Sequence, residues 1–268
     1  MTGIGRTLGG IQRTAAAAIA ASLFMIANTW PSRAADPDAL WKIMHDRCVP
    51  DQQQHGNPGP CVLVDVSGGI GRGYAILKDL NGVAQFLLIP TERITGIEDP
   101  ALLAPDAPNF FDAAWGARTF VEGQLRRTLP RDAVGLVVNS VQGRSQEQLH
   151  IHVDCLRADV REALRRHSGE VGPAWAPFPA PLVGRSYMAM RVSGERLGND
   201  DPFKLLAAGL PGARGRMGLH TLVIAGLDVD GQPEFVILDR EVNKEAGDRG
   251  NGTELLDRTC GVASAVAP

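Results

Sequence analysis

Apolar and polar positions alternate along this chain in short blocks. Pro37 to Arg47 carries Leu40, Ile43 and Met44 at helical spacing. Cys61 to Val66 reads as a short strand ended by Gly68-Gly69. Gly73 to Lys78 and Gln85 to Ile89 are two apolar runs around Asp79-Leu80-Asn81-Gly82, where Asn-Gly signals a hairpin turn. Asn109 to Arg127 predicts one long helix, with Phe110, Ala113, Ala114, Ala117 and Val121 facing the core. Ala133 to Asn139 and Gln148 to Cys155 predict strands, and Asp159 to His167 a helix. Leu182 to Val192 is partly extended, and Pro202 to Leu210 is helical. Leu219 to Asp228 and Pro233 to Leu238 predict a second hairpin around Asp230-Gly231. Cys48 to Cys61 and the tail after Asn243 show no helix or strand pattern, and the tail reads as ragged. This order predicts an α+β fold with an antiparallel sheet and packed helices. The sequence shows no clear repeat, yet the second hairpin leaves room for a sheet extended or partly duplicated by residues 182–242.

Composition narrows the class. The chain has 268 residues, enough for a sizeable core, and 31 Gly and 18 Pro favour a sheet with many turns over a helix bundle. A net charge of −3 argues against a general nucleic-acid binder, which needs a basic face.

The first 34 residues read as an export signal or a retained membrane anchor. Arg6 and Arg13 precede an alanine-rich apolar run from Thr14 to Ile26, and Ser32-Arg33-Ala34 offers small residues for cleavage. Residues 35–268 then form one domain. Export suits the four cysteines, Cys48, Cys61, Cys155 and Cys260, as disulfides. Three pairings exist. A Cys48–Cys61 bridge would pin the polar segment between them and leave Cys155 for Cys260.

The chemistry concentrates on Gln148-Leu149-His150-Ile151-His152-Val153-Asp154-Cys155. A strand's period of two places Leu149, Ile151, Val153 and Cys155 on one face and Gln148, His150, His152 and Asp154 on the other. The two imidazoles then lie about 6.5–7 Å apart along the strand. Three readings compete. One imidazole is a nucleophile toward phosphorus, with Asn139, the Gly143-Arg144-Ser145 turn and Gln148 as phosphate donors. The pair binds a metal, with His220, Asp79 or His45 as a third ligand. Or both are surface histidines on an exposed sheet.

The run Gln148 to Val153 resembles the histidine-triad signature, with Gln148 where that signature has its first histidine. The resemblance makes His150 the nucleophile and His152 its supporting or phosphate-binding neighbour. It narrows further. Arg47-Cys48-Val49-Pro50 with Gln52-Gln53-Gln54 and Pro60-Cys61 is similar to the start of the CDP-diacylglycerol pyrophosphatase family. Leu77 to Gly82, Pro108-Asn109-Phe110-Phe111, Asn139-Ser140 with Gly143-Arg144, and Cys155 with Asp159-Val160-Arg161 follow in the family's order. The resemblance implies a histidine-triad-like fold. It also implies hydrolysis of CDP-diacylglycerol to CMP and phosphatidate through a nucleotidyl-histidine, without metal or cofactor, at the periplasmic face of the bacterial inner membrane. Lys78 and Arg93 become candidate cations for the diphosphate. A transferase using the same histidine, or a metal-dependent exported hydrolase, are the alternatives.

Overall fold

The computed structural model describes residues 36–264; the expected export segment lies outside the described residues. The described chain opens with helix α1 (Ala39–Ile43), which widens into a π-helical turn (Met44–Cys48) and continues as α2 (Val49–His55). The segment after Cys48, expected as a loop, is therefore partly helical. Pro50 has no N–H to return to the preceding turn, and just before it the Val49 N–H reaches the Met44 carbonyl, the wider π spacing. Gly56, with φ of 65°, ends the helix in the left-handed conformation. Cys48 is bonded to Cys61, Cα atoms 5.6 Å apart, which returns the chain to the sheet.

Strands β1 (Leu63–Asp65), β2 (Tyr74–Lys78) and β3 (Phe86–Pro90) follow. The predicted long helix is two, α3 (Phe110–Gly116) and α4 (Arg118–Leu125), with the last turn of α3 tightening so that the Ala117 N–H meets the carbonyls of both Ala113 and Ala114. Next come β4 (Val134–Val138), β5 (Ile151–Cys155), α5 (Ala158–Arg166), β6 (Ala176–Pro177), β7 (Met188–Ser193), α6 (Pro202–Gly209), β8 (His220–Val229) and β9 (Gln232–Glu241). Asp230 (φ 53°) and Gly231 (φ 75°) make the β8–β9 turn with both central residues at positive φ, the type I′ pattern matched to strand twist. A short helix, α7 (Gly261–Ser264), ends the described chain.

All nine strands form one antiparallel sheet in the order β1-β2-β3-β5-β4-β8-β9-β7-β6. The fold is α+β, as expected. The order β2-β3-β5-β4 recurs reversed as β8-β9-β7-β6, and the two halves meet at the antiparallel β4–β8 pair. In each half two strands lead through a helical connection, α3–α4 or α6, to two more. The C-terminal half therefore extends the sheet and repeats its topology.

One sheet face buries Phe110, Phe111, Trp115 and Phe203 of α3 and α6 against Leu136, Ile151, Val153 and Phe235. Each such large apolar side chain contributes roughly 1.5–3 kcal/mol by leaving water. The opposite face carries two smaller cores. Met44, Cys48 and Val49 cover Ala75, Leu77, Leu87 and Ile89, while Val160 and Leu164 of α5 join Val137, Val223, Val236 and Leu238. The interruption between these two cores holds the site.

The described part of the tail, residues 244–264, is ordered, contrary to the expectation of a ragged end. It returns to the sheet because buried polar groups bind its backbone. Ser140 Oγ donates to the Arg249 carbonyl, Thr221 Oγ1 to the Gly250 carbonyl, and the Gly252 N–H donates to Asn139 Oδ1. Arg240 pairs with Asp248 and Glu254, and Cys155 is bonded to Cys260, Cα atoms 5.2 Å apart.

Candidate active site

Strand β5 sets the site through its alternation. Ile151, Val153 and Cys155 anchor it in the large core, which turns His152 to the opposite face. There His152 sits in one cross-strand row with Leu77, Leu87, Val137, Val223, Leu238 and Ala189, the sole polar member. Helix α1, the tail and the β2–β3 loop wall this position into a cleft of about 370 Å³. Both imidazoles lie on its floor, ring centroids 4.9 Å apart and near-perpendicular at 76°. They are not surface residues: His150 is only 8% exposed.

Two different neighbours fix the two rings. His150 Nδ1 lies 2.8 Å from the Gln148 backbone carbonyl, which can only accept. The proton is therefore on Nδ1, and Nε2 presents a lone pair. Burial holds the His150 pKa below the usual imidazole value, so the ring is neutral at neutral pH. His152 Nδ1 lies 3.1 Å from Gln85 Nε2, and the same amide nitrogen donates to Asp79 Oδ2. The carboxylate accepts only, so it fixes the amide orientation, and the amide's second hydrogen meets His152 Nδ1. His152 then carries its proton on Nε2, an atom buried without a partner among the described residues. Burial, followed by the charges of His150 and Arg258, holds the His152 pKa far below the usual value. The site thus holds one imidazole acceptor and one imidazole donor, the donor atom buried.

Asn139, Gly143, Arg144 and Ser145, expected around the phosphate, all line the cleft. Their roles differ. Asn139 accepts from Gly252 through Oδ1, leaving its Nδ2 without a partner among the described residues. Gly143 lacks a side chain because the tail passes there: an added Cβ would lie 2.4 Å from the Gly250 carbonyl oxygen. Arg144 forms a bidentate pair with Glu98, at 2.6 and 2.7 Å, and a third bond to Glu147 at 2.7 Å. It braces the turn rather than presenting a free cation. Gly96 gives it room, since a Cβ there would strike the guanidinium.

Gln148 and Lys78 are placed differently from these four residues. Neither lines the cleft. The start of β5 passes under the loop after β3, where the Leu149 N–H donates to the Ile94 carbonyl. Gln148, fully buried there, donates through Nε2 to the Pro90 and Glu92 carbonyls. Lys78 Nζ donates to the Asp79 and Gly82 carbonyls, closing the turn that carries Asp79. Arg93 pairs with Asp38 over the Trp41 ring.

The metal reading fares differently for its three proposed ligands. His220 is buried against Asp239 elsewhere, and His45 is exposed, stacked on Trp41. Asp79 reaches the cleft, with Oδ2 4.0 Å from His152 Nδ1. Among the described residues, three ligand-type side chains gather at Asp154, Cys155 and Cys260, whose sulfurs are bonded to each other.

Sequence reasoning missed Gln85, the pairing of Asp79 with it, and the tail residues Asn251, Thr253 and Arg258 on the cleft wall. The one available signal for the tail was Cys260, whose pairing with Cys155 returns the C-terminus to the histidine strand.

A buried pair of neutral imidazoles with opposed tautomers thus lies on an antiparallel sheet beside a polar-walled cleft. Residues 35–264 match the family model described as CDP-diacylglycerol pyrophosphatase. A CDP-diacylglycerol pyrophosphatase of Yersinia pestis is 39% identical over 230 residues, covering 86% of each chain. The chain belongs to the CDP-diacylglycerol pyrophosphatase family. A crystal structure of a DUF4931 family protein from Bacillus cereus is similar at a TM-score of 0.40 and 10% identity, over 68% of this chain and 86% of that one.

Proposed function

We propose that this protein hydrolyses the pyrophosphate bond of CDP-diacylglycerol, giving CMP and phosphatidate, and that His150 is the nucleophile. Family membership supports the substrate. The observation that carries the mechanism is the 2.8 Å contact between His150 Nδ1 and the Gln148 carbonyl, which leaves a neutral Nε2 facing the cleft.

His150 Nε2 attacks the CMP-side phosphorus. A phosphorus–nitrogen bond forms and the anhydride bond to phosphatidate breaks, with phosphatidate leaving as an anion. Water then attacks the same phosphorus, the phosphorus–nitrogen bond breaks, and CMP departs with the water oxygen. His152 Nε2–H and Asn139 Nδ2 are the donors nearest in kind to what developing charge on the phosphoryl oxygens requires. The reading places the enzyme at the periplasmic side of the inner membrane, where an anchored chain meets a substrate confined to the bilayer.

The test is CMP release from CDP-diacylglycerol by wild type and His150→Ala. A fall on the order of 10³-fold or more is expected; undiminished release by the variant sinks the mechanism. EDTA is expected to leave the wild-type rate unchanged. Loss on chelation with recovery on zinc addition would replace the covalent route with a metal-dependent one. Label from the substrate held on denatured protein, chased by water, would separate the covalent route from direct attack.

A further inference from the structure

A diphosphate entering this cleft needs a cation, and the expected ones are engaged elsewhere. Arg144 is held by Glu98 and Glu147, Lys78 by two turn carbonyls, and Arg93 by Asp38. Arg258 is different. It lines the cleft with His150 and His152, it is exposed, and no carboxylate pairs with its guanidinium among the described residues. Arg161, Arg191 and Arg240, by contrast, each have a carboxylate partner.

The backbone of Arg258 is fixed although its side chain is free. Its carbonyl accepts from the Val83 N–H at 2.8 Å, tying it to the β2–β3 loop. Two residues on, Cys260 is bonded to Cys155 of β5. The guanidinium is thus carried on a segment clamped from both sides of the histidine strand. Its position is also a junction. A second, open groove of about 810 Å³, lined by Arg157, Asp159 and Val183 among others, shares Asn251, Thr253 and Arg258 with the cleft. A substrate with two unlike halves joined by a diphosphate has its anionic centre where two depressions meet.

We propose that Arg258 is the cation that binds the substrate's diphosphate, presented from the C-terminal tail by the Cys155–Cys260 bridge and the Val83 contact. The assignment rests on the proposed hydrolysis of a nucleotide-diphosphate lipid. A planar guanidinium suits this role, since it can meet two phosphate oxygens at once.

The experiment compares wild type, Arg258→Lys, Arg258→Gln and His150→Ala as full-length proteins. CMP release and inhibition by inorganic pyrophosphate are both measured. Arg258→Gln is expected to lower kcat/KM on the order of 10²-fold and to weaken pyrophosphate inhibition at least roughly tenfold. Arg258→Lys, keeping the charge, should recover part of both. Thermal midpoints should match wild type, because the side chain holds no folded contact. Wild-type kcat/KM and pyrophosphate inhibition in Arg258→Gln, with His150→Ala inactive, overturn the Arg258 assignment and leave the proposed function standing. Equal impairment by Lys and Gln overturns it too, since charge is then not what is lost. Full activity in His150→Ala removes the mechanism whatever Arg258 does.

Discussion

The Gln148 carbonyl accepts from His150 Nδ1 at 2.8 Å, and the two residues stand two positions apart in the segment that leads into β5. The His150 tautomer is therefore set by the main chain. Its orienting partner cannot be lost by changing a side chain, cannot change protonation, and moves only if the start of β5 moves. Gln148's own amide holds that start in place through Pro90 and Glu92. The residue at the first position of the triad-like motif thus acts twice, as acceptor through its backbone and as brace through its side chain.

The acid side of the pH–rate profile follows from burial of His150. Its pKa lies below the ordinary imidazole value of about 6.5, so the neutral form persists as pH falls through that value. The acid limb of kcat/KM is expected to have its midpoint below 6.5, measured with buffers from acid to neutral pH. A midpoint above that value would mean a protonation-sensitive group other than a buried neutral imidazole controls the limb.

The Asp79–Gln85–His152 chain predicts a positioning role for Gln85. Gln85→Leu removes the donor to His152 Nδ1 and frees the ring to take either tautomer. kcat is expected to fall roughly tenfold to a hundredfold with KM changed much less, because the lost donor acts in the transition state. Gln85→Asn is too short to bridge and should not restore it. A Gln85→Leu enzyme with wild-type kcat would show that His152 is oriented by something else.

Asp154 gives a stability prediction with a definite sign. Buried beside the Cys155–Cys260 bridge, it has its pKa raised to about 7, chiefly by desolvation. Between the unfolded value near 3.8 and about 7, the native state holds a proton that the unfolded chain has released. Its contribution to stability is fully present below the unfolded value and falls as pH rises through this window, by at most about 1.4 kcal/mol per pH unit. Asp154→Asn keeps the oxygen that accepts from the Cys155 N–H and carries no titrating group. The variant's melting temperature is expected to exceed wild type by a margin that grows from acid pH and levels off above about 7. A constant margin, or one that shrinks with rising pH, would contradict the raised pKa.

Most strands were legible because they are short apolar blocks, several of them closed by Gly, Pro or an Asn-Gly or Asp-Gly turn, whereas the two exposed residues of β6 gave no such signal. The alternation of residues 148–155 alone put His150 and His152 on one face. The covering of that face was not legible. Period two says which residues share a side, and nothing about what lies over it, so an exposed sheet and a buried cleft look alike. The partners of Arg144 and Lys78 were not legible for a related reason: a cation in a turn reads the same whether it faces phosphate or a carboxylate 46 residues away, as Arg144 faces Glu98. The tail misled most. It has no periodicity because its backbone is held by Asn139, Ser140 and Thr221 and by a disulfide, and those long-range partners leave no local pattern.

The recurrence of one strand order on either side of the β4–β8 pair has a stoichiometric meaning. In the row that crosses the sheet, the place on β9 that mirrors His152 on β5 is held by Leu238, and the next residue outward on that face is Val236 rather than a second histidine. One strand topology thus occurs twice in the sheet, with two imidazoles in the first copy and apolar packing at the matching places of the second. On the proposed nucleotidyl-histidine route, nucleotide trapped on the protein should therefore saturate at one equivalent per chain.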